Sequence, residues 1–99
     1  MSFVATVPAA LAAASGDLAG IGSVMVAQSA AVAGPTTGVV PAAADVVSVL
    51  IATQFAAHAQ MYQAVAAMAA EVHSVVVSTL AVDAGWYAAT EAVNLVTLG

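Results

Sequence analysis

Two long, almost uniformly apolar stretches are separated by one short break. Through the first, about residues 8–33, apolar residues recur at every seventh position: Val4, Leu11, Leu18, Met25 and Val32, with Val7, Ala14, Ile21 and Gln28 at the companion position three residues on. A seven-residue repeat marks a helix packed along one seam, and Leu11, Leu18, Ile21 and Met25 are its expected interface residues. Pro8 suits a first helical turn, where its missing N–H has no partner to lose, and Thr6 is a candidate cap before it. Gly16, Gly20 and Gly22 fall within this stretch. Each costs about 1 kcal/mol relative to alanine in an exposed helix, a cost that close approach by a second helix offsets.

The second stretch runs from about residue 42 to 84, roughly 60 Å if it is one helix rising 1.5 Å per residue. One face carries Ile51, Phe55, His58, Tyr62, Val65, Ala69, Val72 and Val76 in steps of four and three; another carries Val47, Leu50, Gln54, Met61, Met68 and Val75. A helix that is apolar on more than one side must bury more than one side. The first helix can cover only one of these stripes, so the other needs a partner. Ile51, Phe55, Met61, Tyr62, Val65, Met68 and Val72 are therefore expected at interfaces, one stripe serving the first helix and one a second protein.

Between the two lies Gly34-Pro35-Thr36-Thr37-Gly38-Val39-Val40-Pro41. Pro35 and Pro41 lack a backbone donor and push the preceding residue toward extended geometry, while Gly34 and Gly38 can take the positive φ that ends a helix. Together they predict a tight reversal over residues 34–41. The fold expected is all-α, an antiparallel two-helix hairpin in a single domain, with too little interior to stand alone.

Composition narrows the function. Of 99 residues, 64% are hydrophobic and 5% charged, with five acids and neither lysine nor arginine. Nucleic acid is excluded as a partner, because neutralising phosphates needs a basic face. Cysteine is missing, so neither a disulfide framework nor a thiolate metal site exists. The mean hydropathy of +1.09 raises the question of a membrane span. Asp17, Asp45, Gln54, His58 and Glu71 interrupt the apolar runs, much of the hydrophobicity is alanine, and no Lys/Arg bias exists to set an orientation. These features argue against spanning. The N-terminus has no basic region and no compact apolar core, so an ordinary signal peptide is not expected.

Catalytic chemistry is missing from the pattern. His58 and His73 are fifteen residues apart on the second helix, which puts them roughly 22 Å apart along the axis and about 60° apart around it, too far to share a metal. Glu71 and His73, two residues apart, point to different faces. No nucleophile elbow or close carboxylate pair occurs. The chain is not expected to be an enzyme, or to hold a cofactor or metal. One local pattern stands out: Tyr87 and Glu91, four residues apart after Gly85 and Trp86, project a phenol and a carboxylate from one face if helix continues there.

With these residues in view, the chain resembles the PE family of mycobacterial proteins along essentially its whole length. The resemblance rests on Met1-Ser2-Phe3-Val4 with Pro8, Ile21-Gly22-Ser23, Pro35-Thr36-Thr37, Pro41-Ala42-Ala43-Ala44-Asp45 with Val47-Ser48, Phe55 with His58-Ala59, Tyr62-Gln63, His73, Tyr87-x-x-x-Glu91 and Asn94. It implies a hairpin that completes a four-helix bundle with a PPE-family protein. It also implies export of the folded pair through a type VII secretion system, with a cytosolic chaperone contacting the PPE partner. By the same resemblance, Tyr87 and Glu91 are the export signal, within a C-terminal segment 85–99. The protein is then cytoplasmic before export, and secreted or associated with the cell envelope afterwards, where membrane association is open to it.

Two positions depart from the family pattern. Ala9 stands where the glutamate that supplies the family's second initial is expected, and Val46 where an acid usually follows Asp45. An acid in a first turn meets the positive end of the helix dipole, typically worth about 0.3 to 1 kcal/mol, so the loss at Ala9 weakens the helix start without threatening the fold. The resemblance implies a minimal member, the PE domain alone. Two other readings compete with the heterodimer: a component of the outer envelope supporting small-solute permeation, and a homo-oligomeric coiled coil.

Overall fold

The computed structural model describes residues 4–98, which form two helices, α1 (Pro8–Thr37) and α2 (Val46–Leu98), joined by residues 38–45. Met1, Ser2, Phe3 and Gly99, which belong to the family resemblance and to the expected segment 85–99, lie outside the described residues. The two helices make an all-α hairpin. Their contacts group into two compact units, one taking the chain up to Gly22 together with His73 onward, the other Ser23–Val72.

α1 begins on Val7, whose carbonyl accepts the amides of Ala10 and Leu11 at 3.0 and 3.4 Å, with Pro8 in the first helical position. Thr6, the expected cap, turns elsewhere: its amide and hydroxyl both donate to Glu91. The helix continues past the expected end at residue 33 and takes in Gly34 and Pro35. A proline penalises helix before it mainly by clashing with the preceding Cβ and N–H, and Gly34 has no Cβ. Beyond it, the Thr36 and Thr37 hydroxyls donate to the carbonyls of Val32 and Ala33 at 2.5 and 2.6 Å, and the Gly38 amide to that of Gly34 at 3.0 Å. The last turn thus keeps its acceptors occupied. Neither Gly34 nor Gly38 adopts the left-handed conformation foreseen for a helix-ending glycine. Gly38 matters because a Cβ there would stand 3.1 Å from the Gly34 carbonyl oxygen.

The reversal accordingly occupies residues 38–45 rather than 34–41, and α2 starts at Val46 rather than near residue 42. Asp45 sets that start. Its carboxylate accepts the Ser48 amide at 2.8 Å and the Ser48 hydroxyl at 2.9 Å, and its carbonyl takes the first helical bond from Val49. α2 then runs through Gly85 without a break to Leu98, so no separate segment begins at residue 85.

In the unit Ser23–Val72, the half-buried or buried helical positions are Ser29, Ala33 and Thr37 on α1, and Ser48, Ala52, Ala56, Ala59, Gln63, Ala66 and Ala70 on α2. Steps of four and three make the α2 set a helical seam, and most of it is alanine. Gln63 Nε2 donates to the Ser29 carbonyl at 3.0 Å across it. Val39 and Pro41 share a shallow cavity with Val49, Ala52, Thr53 and Ala56, so the connector covers the first turns of α2.

In the other unit, Leu11, Ser15, Leu18 and Gly22 lie opposite His73, Val77, Leu80 and Ala84, again half-buried or buried. The Ser15 hydroxyl, 6% exposed, donates to the Val77 carbonyl at 3.0 Å. His73 Nε2 donates to the Leu18 carbonyl at 2.5 Å, and the ring occupies the space a side chain on Gly22 would fill. Close approach of the two backbones is possible at Ser15 and Gly22, where the α1 side chain is small or missing.

Candidate interaction face and terminal motif

Within Ser23–Val72, helix–helix contact falls mostly on alanine and serine, and this determines where the large apolar side chains there go. Ile51, Phe55, Met61, Tyr62, Val65, Met68 and Val72 are all exposed; Phe55 is 62%, Met61 68% and Met68 58% exposed. The expectation that one of the two α2 stripes serves the first helix is therefore corrected: α1 packs on a third face, the alanine seam, and both stripes stay open. On α1, Leu11 and Leu18 are half-buried against α2, whereas Ile21 and Met25 face outward. The inward row is Pro8, Ser15, Gly22 and Ser29, one residue beyond the predicted row of Val7, Ala14, Ile21 and Gln28. The turn residues divide, Gly34 and Pro35 ending α1 and Gly38 and Pro41 forming the connector.

Within Ser23–Val72 the exposed side chains frame an open apolar groove of about 560 Å³. Met25, Val26, Tyr62, Val65 and Ala69 line it, with Ser29 and Gln63 at its floor bonded to each other. Apart from Ser29 and Gln63, its lining is apolar or aromatic. Among the described residues no group of three histidines and acids could hold a metal, and no buried side-chain polar atom lacks a partner.

The terminal pair sits in the other unit. Tyr87 is 45% exposed and the neighbouring Trp86 70%. Glu91 is half-buried: its Oε1 accepts both the amide and the hydroxyl of Thr6, each at 2.9 Å. This contact sets Glu91 alongside the start of α1. The missed signal was the seven-residue step Val77, Ala84, Glu91, which places the acid on the inward row. Thr6, Ser15, Gln63 and His73 all bond across the hairpin; a packed or hydrogen-bonded His73 is what a lone helix histidine suggests, whereas the contacts of Thr6, Ser15 and Gln63 were not foreseen.

The sequence that folds into this hairpin matches known proteins. Residues 4–94 match the PE family. The chain belongs to the PE family. It is 58% identical to the PE family protein PE13 of Mycobacterium tuberculosis over 94 residues, 95% of each chain. Over nearly its full length it is also 53% identical to PE-PGRS family protein PE_PGRS33 and 49% identical to PE family protein PE8 of the same species, covering 21% and 34% of those longer proteins. PE family proteins are non-enzymatic, in keeping with a surface of apolar side chains.

Proposed function

We propose that this PE protein is one half of a heterodimer with a PPE-family protein, that the pair is exported folded through a type VII secretion system, and that Tyr87 and Glu91 belong to the export signal. The observation carrying this reading is the exposure of Phe55, Met61, Tyr62, Val65 and Met68 around the α2 alanine seam. Several turns of exposed apolar side chain exceed what a soluble monomer leaves bare. Two further helices laid on this face would cover them and complete a four-helix bundle. A cytosolic chaperone acting on the PPE chain is the accompanying expectation. Coexpression with a PPE chain tests the reading: a one-to-one complex that melts cooperatively supports it, and a PE chain that stays unassociated with every PPE chain tried overturns it.

A second reading places the protein at the outer envelope. Pro8–Thr37 and Val46–Thr97 are each long and apolar enough, by length and composition, to cross a membrane. Solute flux through liposomes containing the purified chain distinguishes this role from the heterodimer.

A further inference from the structure

Glu91 lies on the inward row of α2, seven residues after the buried Ala84 and fourteen after the half-buried Val77. An acid in such a position needs donors, and the chain has no lysine or arginine to supply them. Both donors come from Thr6, whose backbone N–H and side-chain hydroxyl converge on a single oxygen, Oε1, at 2.9 Å each. Thr6 precedes the N-cap Val7, and the first turn of α1 contains no acid. A carboxylate at this point meets the positive end of α1, as an acid at Ala9 would have done.

We propose that Thr6 and Glu91 form a latch, so that Thr6 is a positioning residue for the terminal motif: Glu91 holds this part of α2 to the start of α1, and the surface presented outward is Tyr87 with Trp86. The second half rests on the reading of Tyr87 and Glu91 as an export signal; the latch itself does not. Tyr87 precedes Glu91 by four residues, about 40° around the helix. Anchoring Glu91 inward therefore fixes the direction in which the Tyr87 ring leaves the surface. The acid contributes through its reach and its acceptor oxygen.

The latch makes an unusual demand on substitutions. Since one oxygen takes both bonds, Glu91→Gln keeps the acceptor at the same reach and preserves the latch, whereas Glu91→Asp, shorter by one methylene, loses it. A receptor that reads the negative charge reverses this order. The test measures hydrogen exchange at the Thr6 amide of the full chain in its native assembly, and export to the culture medium, for Glu91→Gln, Glu91→Asp, Glu91→Ala and Thr6→Val. Glu91→Ala and Glu91→Asp should speed Thr6 exchange roughly tenfold, as loss of a hydrogen bond does, and Glu91→Gln should leave it near wild type. Export should follow the same order, with Thr6→Val reduced. Unchanged Thr6 protection in Glu91→Ala overturns the latch. Protection kept but export lost in Glu91→Gln overturns the positioning role, because the charge is then read directly. Normal export of Tyr87→Ala with the exchange results intact defeats the signal reading and leaves the latch standing.

Discussion

His73 lies against Gly22 so closely that a Cβ on Gly22 would stand 2.7 Å from its Cδ2 and 2.8 Å from its Nε2, the nitrogen that donates to the Leu18 carbonyl. Leu18 and Gly22 are one helical turn apart, and a side chain at the second position normally screens the carbonyl of the first. Glycine leaves that carbonyl open to the ring. Gly22→Ala should therefore destabilise the fold even though alanine is the better helix former, since the ring must move and its hydrogen bond, worth about 1 kcal/mol, is lost. Gly16→Ala and Gly85→Ala, where a Cβ meets nothing within 4 Å, should instead stabilise by roughly 0.5 to 1 kcal/mol. A double-mutant cycle of Gly22→Ala with His73→Ala, followed by thermal melting, should show a coupling of about 1 kcal/mol; additive effects would mean that the contact carries no energy.

Ser15 tests the same close approach elsewhere. Its buried hydroxyl donates to the Val77 carbonyl across the seam. Ser15→Ala removes one hydrogen bond and should cost about 1 kcal/mol. Ser15→Leu must also force the helices apart and should cost roughly 1 to 3 kcal/mol more. Equal melting temperatures for the two variants would contradict a tight small-residue seam.

The hairpin was legible in the sequence because Pro35 and Pro41, with their glycines, are the one strong break between two helical stretches. Also legible was that the large side chains of α2 occupy more sides than α1 can cover, and they do stay exposed on the hairpin. What misled was size. Phe55, Met61 and Tyr62 look like a core, but two helices joined by a short connector approach most closely over small residues, and the seam fell on Ala52, Ala59, Gln63 and Ala66 instead. Alanine is so frequent here that its seven-residue row does not stand out from the background. Expecting the reversal at residues 34–41 rather than 38–45 set the register of α1 too early along α2, which hid the Thr6 and Glu91 pairing.

Asp45 makes the start of α2 sensitive to acid. The Ser48 amide, and after it the Ser48 hydroxyl, hold the Asp45 carboxyl below the ordinary value of 3.8. A depressed carboxyl pKa contributes stability that is fully present above the unfolded value and is lost as pH falls through the lower, folded value. Because the group is open to solvent, the effect should be local: below about pH 3.8, amides of the first turn of α2 should exchange faster while the Ser15 region holds. Asp45→Ala should show the same fraying at neutral pH, and Asp45→Asn, which keeps an acceptor for Ser48, should show less. First-turn protection unaffected by Asp45→Ala would rule out the cap.

The exposed face should separate folding from association. Phe55→Glu and Met68→Glu place a charge where the hairpin itself leaves the side chain in water, so helicity should be unchanged. Pairing should fail, because an unpaired charge buried in a dry interface costs several kcal/mol. Without a partner the wild-type chain should self-associate through the same patch, and the two variants should do so less. Full-yield copurification of both variants with a PPE chain would show that the partner sits elsewhere.

The role of Tyr87 turns on its exposure. With 45% of its surface open beside a 70% exposed Trp86, the ring contributes little to the hairpin, yet it has area to bury when another protein docks. Tyr87→Ala should then shift melting of the complex by no more than about 0.5 kcal/mol, the usual range for a surface substitution, while export to the culture medium falls sharply. Tyr87→Phe should export well if the ring face is what docks, and poorly if the hydroxyl makes the essential contact. If Tyr87 is a structural anchor, the order reverses: the complex loses stability first, and export declines only in proportion to the complex lost. Melting and export measured on the same Tyr87→Ala preparation distinguish the two, since an anchor cannot lose export at constant stability and a recognition residue cannot lose stability at constant export.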